Sequence, residues 1–85
     1  MKKPLPKLLN IDGVRALAQA GAVSHVKVIA SDDGLCVELN QIFKVTNRAK
    51  EIRYFAKAET VFSWLKGMGI NQINEVDLSR WVIEK

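Results

Sequence analysis

The sequence predicts an α+β domain, in the order α-β-β-β-α-β, with an antiparallel sheet and both helices packed on one face. Two observations carry this. Residues 24–31 and 35–45 alternate apolar and polar side chains around a short Asp-Gly turn, as strands with one buried face do. Residues 11–20 and 58–68 repeat apolar side chains at helical spacing, and each run meets glycine at its end. Eighty-five residues hold one domain. Its modest core makes oligomerisation a useful further source of stability. Residues 1–9 are expected to form a flexible basic tail and residues 10–85 the domain.

The first helix can be capped by Asn10 or Asp12, whose side chains accept from amides of the first turn. Ile11, Val14, Leu17 and Ala18 share its apolar face, and Gly21 supplies the stop. In the strand that follows, Val26, Val28 and Ala30 face one way and His25, Lys27 and Ile29 the other. Asp33-Gly34 is a two-residue hairpin signal. With that turn Ala30 opposes Val37 and Val28 opposes Leu39, apolar against apolar. Val26, Val28, Val37 and Leu39 are therefore expected in the core, with Lys27 and Glu38 exposed.

The same phase runs on through Phe43 and Val45. Residues 35–46 then form either one long strand with a bend or bulge near Asn40-Gln41, which is the preferred reading, or two strands. Residues 46–51 read as a polar turn and 52–55 as a short strand. In the second helix Ala58, Val61, Phe62, Leu65 and Met68 complete an apolar arc. Trp64 lies beside that arc, surplus to it. Gly67 and Gly69 close the helix, and residues 72–78 alternate as a last strand. Trp81 and Ile83 follow in a tail.

Composition removes several classes of function. The single cysteine, Cys36, can form no internal disulfide and no thiolate zinc site. It and the single histidine, His25, are expected on the outer sheet face, with Cys36 opposite Ser31. A turn shifted by one residue places it opposite Ile29, still four residues from His25. At ~3.4 Å per residue neither register gives a nucleophile–base pair. Adjacent Asp32 and Asp33 suit turn chemistry, and no phosphate-binding glycine loop is present. The chain is expected to be no enzyme, to use no metal or cofactor and to take no small-molecule substrate. No apolar run approaches the ~18 residues of a membrane span. Pro4, Pro6 and Lys7 break the start of the chain against a signal peptide. The expected location is cytoplasmic.

The formal charge of +4 is uneven. Lys2, Lys3 and Lys7 make the tail basic, and residues 41–57 carry Lys44, Arg48, Lys50, Arg53 and Lys57 against Glu51 alone. Lys27, Lys44, Arg48, Lys50 and Arg53 are the candidate contacts to a nucleic acid, on the outer sheet face and the 46–51 turn. Stacking aromatics among them are limited to Tyr54 and Phe55. Lys57, Trp64, Met68 and Trp81 are the candidate protein interface, for a partner or a second copy, because aromatics at a domain edge are enriched in contact surfaces.

The α-β-β-β-α order resembles the double-stranded RNA-binding domain. That family opens its second helix with a lysine-rich KKxAK run. The corresponding stretch here is FAKAET, with Lys57 alone. More of the chain, from about residue 14 to 81, resembles small plasmid-borne ParC-like partition-associated proteins. The matching segments are VRALAQAGAV, IRYFAKAETVFSWLKGMGI and NEVDLSRW, with Gly-Met-Gly-Ile departing from that family's usual Leu-Gly-Ile helix end. This second resemblance implies an accessory role in plasmid or mobile-element maintenance, with no catalytic residue. The leading expectation is thus a non-enzymatic accessory protein acting through protein–protein contacts. The alternative is a nucleic-acid-binding module using its basic sheet face and hairpin turn.

Overall fold

A computed structural model describes residues 7–81. The elements are β1 Lys7–Leu9, α1 Ile11–Gln19, β2 Val26–Ser31, β3 Gly34–Leu39, β4 Phe43–Val45, α2 Ala58–Gly67 and β5 Glu75–Arg80. The class is α+β, but the sheet is mixed rather than antiparallel. It has five strands in the order β1-β4-β3-β2-β5. β2, β3 and β4 form an antiparallel meander, β1 runs parallel to β4, and β5 runs parallel to β2. Lys7–Leu9, expected within the tail, forms β1. Lys2, Lys3 and Ile83 lie outside the described residues.

The parallel pairings follow from the two helices. A helix between two strands of one sheet returns the chain to the end where it started, so the second strand repeats the direction of the first. β1–α1–β2 and β4–α2–β5 are two such units, each with two other strands between its own. Both cross the sheet in the same sense. The right-handed rule for crossovers then puts both helices over the same face. Val14 of α1 and Val61 and Leu65 of α2 accordingly share one core with Val26, Val28, Val37, Leu39 and Val45 of the sheet.

The β2–β3 hairpin turns at Asp32-Asp33, one residue before the expected position, so Val28 opposes Val37 and Val26 opposes Leu39. Moving the turn by one residue shifts each pair by two, which leaves every side chain on its expected face. Neither aspartate has positive φ; Gly34, at φ +125°, does. Glycine is needed there because the backbone of Phe55 closes on it. Leu35 N–H donates to Phe55 O (2.8 Å) and Phe55 N–H donates to Leu35 O (2.7 Å). The expected strand over 52–55 is reduced to that bridge and one between Thr46 and Ile52. The four core positions of the hairpin are buried, while Lys27 and Glu38 are half-buried rather than exposed, since they oppose each other.

Where a bend was preferred, the chain reverses. Asn40 and Gln41 both take left-handed conformations (φ 56° and 61°), and Ile42 N–H donates to Leu39 O at 3.2 Å. The unbroken alternation hid the turn because its three-residue connection leaves Leu39 opposite Phe43 on the same face. Both helix ends match the sequence reading. Asn10 Oδ1 accepts from Gly13 N–H at 2.9 Å. At the far end of α2, Ile70 N–H donates to Leu65 O and Gly69 N–H to Lys66 O, with Gly69 at φ +84°, a Schellman stop that folds Ile70 back into the core.

Asn40 ties together the open end of the β2–β3 hairpin. Its Oδ1 accepts from Ser24 N–H (2.7 Å), Ser24 Oγ (3.1 Å) and His25 N–H (3.2 Å), and its Nδ2 donates to Ala22 O (2.9 Å). Asparagine also tolerates the left-handed backbone better than alanine. Asn40→Ala is expected to cost about 2–3 kcal/mol, from lost hydrogen bonds and the backbone term together. Asn40→Gly recovers only the backbone share. Urea denaturation of the two variants beside the parent checks the split, and equal losses would refute it.

Candidate functional site

Three surfaces gather the residues that chemistry could use. The first is the outer sheet face. Lys27 Nζ lies 3.8 Å from both a Glu75 and an Asp77 carboxylate oxygen, and His25 Nε2 lies 3.2 Å from Glu75. Lys44 stands directly opposite Glu38 across β3 and β4. Asp77 is held below the ordinary carboxylate range by Ser79, whose Oγ and N–H both donate to it at 2.6 and 2.9 Å; Lys27 and Arg80 add to this. Of the two lysines expected to meet nucleic acid here, Lys27 is thus paired with carboxylates and Lys44 has Glu38 as its cross-strand neighbour.

Cys36 lies on the same face opposite Ile29 and is 4% exposed. That is the register given for a turn shifted by one residue, in place of the expected Ser31, and the side chain is buried although it lies on the outer face. Burial pushes its thiol above the ordinary value, with Lys44 partly offsetting the shift. A buried, protonated thiol is a poor nucleophile. Among the described residues no group of three or more His, Cys, Asp and Glu side chains is placed to hold a metal ion, and no helix is long and apolar enough to cross a membrane.

The second surface is a cleft of about 590 Å³ between the start of α1 and the 46–53 segment. It collects Arg48, Lys50 and Arg53, three of the five expected nucleic-acid contacts, and adds Arg15 of α1. Arg15 was missed because it is remote in sequence from the basic segment.

The third surface is an apolar groove of about 360 Å³ between α2 and β5. Val28 and Ala30 form part of its floor, and Phe62, Val76, Leu78 and Trp81 stand on its walls. These four are 51%, 56%, 53% and 53% exposed. Phe62 was expected at the core and is exposed in the groove. Trp64 is half-buried against the core, its ring centroid 5.5 Å from that of Phe55, and the guanidinium of Arg53 lies 4.6 Å from the Phe55 centroid and 5.8 Å from that of Trp64. Of the expected interface residues, Trp81 lines the groove. Lys57 precedes α2, and Met68 ends it about 16 Å away at 1.5 Å per residue. Neither Lys57 nor Met68 lines the groove, although Ala56 and Ala58 on either side of Lys57 do.

No protein-family model, curated protein or solved structure matches the chain.

Proposed function

We propose that this chain is a small non-enzymatic accessory protein that works through protein–protein contact, and that the contact is self-association along β5. The groove carries the reading. Contiguous exposed apolar side chains beside a free sheet edge mark an interaction surface more often than a solvated one. β5 is paired on its β2 side only, because it ends the strand order.

A second copy fits this edge by symmetry. Antiparallel approach of two β5 strands about a two-fold axis brings the Glu75 end of one strand to the Arg80 end of the other. On the helix face it brings Val76 of each copy against Leu78 of the other. Asp77, near the middle, meets its own copy as the one unfavourable pair, and each is countered by Lys27 of its own chain at 3.8 Å. Full burial of side chains of this kind contributes ~1.5–3 kcal/mol each before the costs of association. The role in plasmid or mobile-element maintenance rests on the sequence resemblance alone.

Sedimentation analysis tests this. The parent is expected to be a dimer at about 100 µM and Leu78→Asp a monomer. Leu78 is already half-exposed, so the variant should lose less than ~1 kcal/mol of stability. A monomeric parent at that concentration removes the second copy as occupant of the groove and leaves a different protein as the partner to seek.

A further inference from the structure

The cleft at the start of α1 is independent of the groove and has its own electrostatic problem. Arg15, Arg48, Lys50 and Arg53 line it with Asp12 as the only carboxylate among its lining residues. Among the described residues no ion pair engages any of the four cations. Like charges gathered in one concavity repel one another and concentrate the field there, and a bound anion relieves both. On the sheet face, by contrast, Lys27 is paired with Glu75 and Asp77.

The cations are also held in place. Asn47 builds the loop that carries two of them: its Oδ1 accepts from Ala49 N–H (2.9 Å) and Glu51 N–H (3.1 Å), and its own N–H donates to Glu51 O (2.8 Å). Arg53 is fixed by its contacts with the Phe55 and Trp64 rings, and a guanidinium over a ring keeps its in-plane N–H edge for an acceptor. At the start of α1 Asn10 already takes the Gly13 amide, and the helix adds the field of its dipole.

We propose that this cleft binds the phosphodiester backbone of a nucleic-acid strand. Phosphate is the chemistry that clustered arginines recognise best, by paired N–H···O contacts. A space of about 590 Å³ lined by four cations exceeds what one phosphate group fills, so successive phosphates fit it better than a free ion. No base-reading contact is assigned.

The test is fluorescence anisotropy of labelled 20-nucleotide DNA, single-stranded and duplex, with the full chain. Raising salt from about 50 to about 200 mM should weaken binding about 20- to 40-fold, as about three neutralised phosphates require. Arg48→Glu with Lys50→Glu should weaken binding at least tenfold. Lys57→Glu with Lys66→Glu, the same change of net charge outside the cleft, should cost less than threefold. Arg15→Glu on the exposed side of α1 is an independent third variant, expected to lose at least about fivefold. Circular dichroism checks that each variant is folded. No binding at about 50 mM salt overturns the proposal, as do equal losses from the two double variants. Full displacement of the DNA by about 10 mM inorganic phosphate at constant ionic strength also overturns it, by showing a single-phosphate site.

Discussion

Val37→Asp is expected to leave the chain unfolded. Val37 is 0% exposed and opposes Val28 at the centre of the only core cluster found among the described residues. An aspartate there must either bury an unpaired carboxylate or take up a proton to avoid it, and both cost several kcal/mol on top of the lost valine packing. A domain of this length has a total stability of roughly 4–13 kcal/mol, so the change consumes most or all of it. Far-UV circular dichroism and proton NMR dispersion read the result. Val76→Asp is the companion. It points to the same face of the sheet but lies 56% exposed at the β5 margin. It should fold. A folded Val37→Asp, or an unfolded Val76→Asp, would place the core boundary elsewhere.

Gly34→Ala is the second large effect, expected at about 3 kcal/mol or more. A Cβ at this position would sit 2.7 Å from the carbonyl oxygen of Phe55, and the residue holds φ +125°, where side chains are strained by ~1–3 kcal/mol. The carbonyl cannot retreat without breaking its hydrogen bond from Leu35 N–H. That bridge fixes Phe55, on which Trp64 packs, so the loss should reach α2 as well. Thermal unfolding followed by Trp fluorescence checks both parts. A change of less than ~1 kcal/mol would mean that the Phe55 bridge is dispensable.

What could be read from the sequence was what neighbouring residues decide. Asn10 and Gly69 mark helix ends through hydrogen bonds within a few residues of themselves, and the face of each β2 and β3 side chain follows from alternation alone. What could not be read depends on partners far along the chain. Lys7–Leu9 is too short and proline-flanked to signal a strand, and it becomes one only because β4 offers a parallel edge. β5 alternates as expected, but its pairing with β2 is set by the crossover of α2. Spacing weighs all large side chains alike, so it includes Phe62 in the apolar arc of α2 and leaves Trp64 beside it. Phe55 and Arg53, arriving from the preceding loop, turn Trp64 inward and leave Phe62 in the groove. The basic cleft was half-legible for the same reason: Arg48, Lys50 and Arg53 are close in sequence, and Arg15 joins them only through the fold.

Residue-resolved hydrogen exchange of the β5 amides at two concentrations tests the central claim, that this edge is where two copies meet. Amides on a free edge exchange through small local openings, and pairing with a second strand protects them only where the dimer is populated. Exchange in β5 is expected to slow markedly between about 5 and about 500 µM. Amides of β1, the opposite edge, should stay unchanged, and Leu78→Asp should erase the difference. Exchange in β5 that is equally fast at both concentrations would contradict self-association along this strand.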